Sequence, residues 1–127
     1  MAVQPYLFFE GRCEEALDFY SQALGAQVTM LMRYRENPEA LSLPAEMGEK
    51  VMHASFSIGE TTIMASDGQC GGVTNFQGFA MSLTLESAAE VERAFAALAV
   101  EGEVKMPLEK TFFSPRFGMV ADRFGVE

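Results

Sequence analysis

The sequence is poor in the residues that most often announce a function. Its 127 residues hold no tryptophan, two cysteines and one histidine. Each scarcity excludes something. Cys13 and Cys70 are too few for a disulfide framework, so a reduced, cytoplasmic protein is expected. One histidine cannot make a His-rich metal site. Basic residues number nine against eighteen acidic ones, a net charge of −9. Nucleic-acid binding needs clustered Lys and Arg to displace counterions, so that class of partner is not expected. The same charge disfavours anionic membranes. No apolar run approaches the ~20 residues of a membrane span. Met1-Ala2-Val3-Gln4-Pro5 has neither the basic flank nor the apolar core of a signal peptide.

What is present is an apolar half of the chain, enough for one packed domain or two small fused modules. Val3–Phe9 reads as a strand that Pro5 assigns to an edge or to a position where one N–H is not needed. Gly11–Leu24 reads as a helix, with Cys13, Ala16, Leu17, Tyr20 and Leu24 on one face and Gly25 as its stop. Gln27–Arg35 alternates as a strand, and Glu36–Lys50 is a loop with two prolines. Val51–Ile58 and Thr61–Asp67 make a hairpin around Gly59-Glu60. Residues 68–78 read as a linker. The order then begins again. Phe79–Leu85 is expected as a strand, and Ser87-Ala88-Ala89-Glu90 is a capping box. The helix it opens ends near Gly102. Extended stretches Glu103–Phe113, interrupted by Pro107, and Arg116–Asp122 follow. Gly25 and Gly102, each closing a helix before a strand, mark a repeat of roughly 75 residues. The expectation is an α+β chain of two βαβββ-type modules: 1–67, then a linker, then 79–127 without its last strand.

The sequence resembles the vicinal oxygen chelate superfamily, which includes glyoxalase I, bleomycin-resistance proteins and extradiol dioxygenases. The resemblance lies at Ala16-Leu17-Asp18-Phe19-Tyr20 with Leu24-Gly25, and at Asp122-Arg123-Phe124-Gly125. It is similar more narrowly to the PhnB-like branch. Pro5-Tyr6-Leu7-Phe8-Phe9, Lys50-Val51-Met52-His53-Ala54, Met64-Ala65-Ser66-Asp67 and Phe117 to Gly125 carry that likeness in order. It implies a glyoxalase-like fold, a curved, cup-like mixed sheet, and assembly as a homodimer. It also places the last strand of the second module beyond Glu127.

In metal-dependent members of that superfamily, ligands come from the first and last strands of each module. Carried over, those positions fall at Pro5, Met64 and Ala80, with the fourth beyond Glu127. Pro and Ala offer no ligand, and a thioether suits a hard divalent ion poorly. No metal and no other cofactor is therefore expected. Nor does a glycine-rich nucleotide loop open a helix, as a site for a methyl donor would require.

The likeness turns one face of the strands toward the cup. On the third strand that face holds Val51, His53, Ser55 and Ser57. On the fourth it holds Thr62, Met64 and Ser66, and on the fifth Ala80, Ser82 and Thr84. The candidate ligand-binding set is His53, Ser55, Met64, Ser66, Ser82 and Arg116. His53 is the candidate general acid or base, since histidine is the side chain that titrates near neutral pH. Its alternative role is a histidine satisfied by neighbouring groups. Asp67 and Asp122 read as turn residues, Cys13 as packing, and Cys70 has no basic neighbour to activate it. Phe8, Phe9, Phe112, Phe113 and Phe117 are candidates for an aromatic lining or for the core.

Three functions fit these residues. One is a protein that binds a small, partly apolar metabolite without a metal. Another is a metal-independent enzyme in which Ser55 or Ser66 assists His53. The third is a ligand-free structural or regulatory dimer.

Overall fold

The computed structural model describes residues 1–36, 48–68, 74–111 and 116–127. Cys70, Phe112, Phe113 and most of the expected loop before Lys50 lie outside the described residues. The chain is mixed α+β and divides into two compact units, Met1–Thr74 and Asn75–Glu127. No helix among the described residues is long and apolar enough to cross a membrane.

The first unit runs β1 (Tyr6–Phe8), α1 (Cys13–Leu24), β2 (Gln27–Arg33), a 3-10 turn (Tyr34–Glu36), β3 (Val51–Ile58) and β4 (Thr61–Ser66). Its open sheet has the order β1-β4-β3-β2, with β1 parallel to β4 and the other pairs antiparallel. β1 is an edge strand, as Pro5 requires, but it is three residues long rather than seven. Only Tyr6–Phe8 lie opposite β4 residues, and a strand persists only where a ladder holds it. The β2–β3 ladder shifts twice: Thr29 is extra on β2 between Val28 and Met30, and Met52 is extra on β3 between Val51 and His53, so Val51 is buried in the core rather than sharing the expected face with His53.

Alternation sends Leu7, Ala54, Phe56, Ile63 and Ala65 to one face, where they are buried beneath α1. That helix presents Cys13, Ala16, Leu17 and Tyr20 to the core. Tyr20 stacks on Phe56 at 5.9 Å and Phe9 tilts against Tyr20. Burying an aromatic ring such as Phe56 stabilises the unit by roughly 2–3 kcal/mol. Gly25 ends α1 in the left-handed conformation, φ 70°, and its N–H donates to Ser21.

Asp67 locks these parts together. One carboxylate oxygen accepts the N–H of Cys13, the first residue of α1, at 2.8 Å, and the other accepts the N–H of Val51 at 2.9 Å. An anion at a helix start also complements the helix dipole. Asp67, read from sequence as a turn residue, thus anchors the start of α1, 54 residues away.

The second unit contains α2 (Ala88–Ala99), β5 (Glu103–Glu109) and β6 (Phe117–Ala121). Ser87 caps α2 by accepting the Glu90 N–H at 3.2 Å. The expected strand Phe79–Leu85 is not formed. Alternation makes a segment fit for a sheet, but a strand also needs a neighbour. Only a single rung reaches it among the backbone bonds of the described residues, from the Met81 N–H to the Glu127 carbonyl at 2.8 Å.

The repeat of closing glycines is also corrected. The left-handed residue after α2 is Glu101, φ 60°, not Gly102. Gly102 is glycine because a Cβ there would lie 2.4 Å from the Ala121 carbonyl oxygen. Gly118 similarly makes room for the Phe95 ring, 2.8 Å from where its Cβ would be. β5 and β6 pair antiparallel, with register shifts on both sides of Met106 that accommodate Pro107. Asp122 then folds the chain back, its Oδ1 accepting the N–H groups of Phe124 and Val126.

Candidate functional site

The face of the first unit's sheet opposite α1 carries the site. Pairing fixes who shares it. Tyr6 lies beside Met64, Met64 beside Ser55, and Ser55 beside Met30. One step along, Phe8 lies beside Ser66, and His53 beside Met32. Four of the predicted residues, His53, Ser55, Met64 and Ser66, are thus brought to one face. Ser82 and Arg116 belong to the second unit. Ser82 is exposed in the extended segment, and Arg116 is ion-paired with Glu92 on α2.

At the centre of this face the Tyr6 hydroxyl and His53 Nδ1 are hydrogen-bonded at 2.7 Å. The Tyr6 ring stacks on Phe8 at 4.7 Å, which fixes its direction. Tyr6 was not among the residues singled out from sequence. The signal was present, since alternation through Tyr6-Leu7-Phe8-Phe9 puts Tyr6 and Phe8 opposite the buried Leu7 and Phe9.

The surroundings are apolar but open. Tyr6, Met30 and Met32 are 38%, 41% and 36% exposed, and Met64 is half-buried. Partial burial raises the Tyr6 phenol above its ordinary value of 10.0, with Tyr34 and Cys13 adding to the rise. A phenol kept protonated both donates and accepts. It can donate to Nδ1 when His53 carries its proton on Nε2, or accept from an Nδ1–H. The pair therefore survives in either tautomer, which leaves Nε2 able to donate or to accept. Ser66 is committed elsewhere, donating to the Met52 carbonyl at 2.8 Å and accepting the Gly68 N–H at 3.0 Å.

The metal implied by the superfamily resemblance does not fit these residues. The Pro5 carbonyl, its one donor, already accepts the Met64 N–H at 2.9 Å. Met64 offers a thioether and Ala80 a methyl group. Among the described residues no three His, Cys, Asp or Glu side chains gather as a metal site. Cys13 is buried, and burial pushes its thiol up to about 12, which silences it as a nucleophile.

An open mixed sheet with a helix on one face and a Tyr–His pair on the other places this protein in the α+β class, without a closed barrel. The chain belongs to the 3-demethylubiquinone-9 3-methyltransferase family, the PhnB-like family, which it matches over residues 1–127. It is 32% identical to protein YjdN of Escherichia coli K12, over 99% of this chain and 91% of that protein. Among solved structures it is similar to protein PA1353 of Pseudomonas aeruginosa, at 41% identity and a TM-score of 0.86. That likeness covers 99% of this chain and 92% of the other. The PhnB protein of Bacillus cereus is 29% identical with a TM-score of 0.81, over 99% and 95% of the two chains.

Proposed function

We propose that the open sheet face of the first unit binds a small, partly apolar metabolite without a resident metal, within a glyoxalase-like superfamily. The observation that carries this is the Tyr6–His53 hydrogen bond set among Phe8, Met30, Met32 and Met64. A polar pair of fixed direction on an apolar floor orients a ligand, while the floor supplies the burial. Methionine adapts to ligand shape, which suits a permissive floor.

Methyl transfer, named in the family's description, finds no glycine-rich loop for a methyl donor at the start of α1. The β1–α1 connection holds one glycine, Gly11, and the first N–H of α1 is taken by Asp67. In this reading the protein is a homodimer. The exposed Val28 and the open edge of strand β2 favour association.

Native mass spectrometry with elemental analysis of the purified protein tests the reading. A retained small molecule that is lost in His53→Ala supports it, and stoichiometric metal overturns it. The same Tyr6–His53 bond also favours a second reading, in which His53 is the acid or base of a metal-independent enzyme. Turnover of the retained molecule that vanishes in His53→Ala and persists in Cys70→Ala would establish that one. A dimer that retains nothing, and is indifferent to His53→Ala, would favour a purely structural role.

A further inference from the structure

Gly68 follows the Asp67 lock, and its backbone is not left-handed. Conformation does not call for glycine there, but space does. A Cβ on Gly68 would lie 2.7 Å from the Tyr34 hydroxyl and 3.6 Å from Ser66 Oγ. Tyr34 leaves the end of β2, where its N–H donates to the Lys50 carbonyl. Its ring must therefore reach past the start of β3 to set its hydroxyl over the end of β4. Ser66, beside that hydroxyl, is two residues on from Met64 and shares the face of Tyr6, Phe8 and His53.

We infer that Tyr34 is the second hydroxyl donor of this site, positioned by Gly68, and that the site selects a neutral, partly apolar ligand with a carbonyl oxygen. This rests on the metabolite-binding reading above and names its ligand class. The polar groups offered are phenol O–H and imidazole, and the apolar ones are Phe8, Met30, Met32 and Met64. No Lys, Arg, Asp or Glu occupies the face positions Tyr6, Phe8, Met30, Met32, His53, Ser55, Ser57, Thr62, Met64 and Ser66. A neutral carbonyl accepts from such donors and needs no counter-charge, whereas a fully ionised group would be held without one. A site built to donate to an oxygen rejects the analogue that lacks it, because its donors are then left unpaired.

The test uses two probes of matched shape, acetophenone and isopropylbenzene, with ligand-observed NMR titration of the full chain. The ketone is expected to bind at least 10-fold more tightly than the hydrocarbon. Tyr34→Phe should remove most of that preference. Gly68→Ala keeps Tyr34 but pushes its hydroxyl aside, and should reduce the preference to a similar degree. Circular dichroism establishes that both variants remain folded. If Gly68→Ala unfolds the chain, Tyr34→Phe alone decides. A ketone preference that survives Tyr34→Phe but falls in His53→Ala overturns the role of Tyr34 and leaves the binding face standing. Equal binding of the two probes overturns the carbonyl assignment alone. Binding of neither at millimolar concentration overturns the ligand class, and loss of any retained molecule from the native protein then decides the face itself.

Discussion

Asp67 and Asp122 carry out the same chemistry in the two units. Each is buried, and each accepts two backbone N–H groups. Their partners differ in kind. Asp67 reaches Cys13 and Val51, 54 and 16 residues away, and so ties a helix start to a central strand. Asp122 reaches Phe124 and Val126, two and four residues on, and shapes a turn. The buried carboxylate of the first unit thus makes long-range bonds within a four-stranded sheet, and that of the second makes local ones next to a two-stranded sheet. Burial follows the same division, with Phe9, Leu17, Val51 and Phe56 almost fully buried in the first unit and Ala94 the one buried residue of α2.

The comparison breaks most readily at Phe56. Phe56→Ala is expected to cost about 3–5 kcal/mol in urea unfolding. A cost near that of an exposed position would mean that α1 does not depend on this ring. Asp67→Ala should cost roughly 3 kcal/mol, because two buried N–H groups lose a charged acceptor. Asp122→Ala should cost about half as much, since its two partners lie two and four residues on and can rearrange with the turn. If the two aspartates prove equal in the same denaturant series, sequence separation of partners does not distinguish the units.

Gly102→Ala should cost about 1–3 kcal/mol by driving β6 away from the α2–β5 turn. Hydrogen exchange should show the loss in the β5–β6 ladder and not in β3–β4. The smallest effect belongs to Glu14, which bonds Arg33 through both carboxylate oxygens, the closer contact being 2.6 Å. That hydrogen bond holds the Glu14 carboxyl below its ordinary value. Its contribution is present above the unfolded-state value and is lost as pH falls through the lowered one. Glu14 is half exposed, so solvent and salt screen the pair. The difference between wild type and Glu14→Gln should shrink in high salt and vanish at low pH.

The parts legible in sequence were those set by local pattern. The bounds of β3 follow from the alternation Val51–Ile58, and the end of α1 from Gly25. The parts that were not legible depend on partners. Phe79–Leu85 has strand alternation but little to pair with, and Gly102 looked like a helix stop although it serves a close approach to Ala121. The site divides the same way. His53, Ser55 and Met64 share a face because the strand period puts them there. The face of Tyr6 was equally legible from alternation, but its bond across β4 to His53 depends on strand order, and Tyr34 enters through tertiary reach over Gly68. Asp67 next to a glycine looked like a turn signal, and nothing local pointed to the N–H of Cys13.

The position of Cys13 makes the protein its own stopwatch. The thiol sits at the hinge where α1 meets the Asp67 lock, fully shielded from solvent. With its proton held up to about 12, it has almost no reactive thiolate while α1 is seated. An alkylating reagent can mark it only during excursions that lift the helix from the sheet. The labelling rate at this one sulfur therefore counts those excursions, and a ligand that braces the far face of the sheet should slow the count.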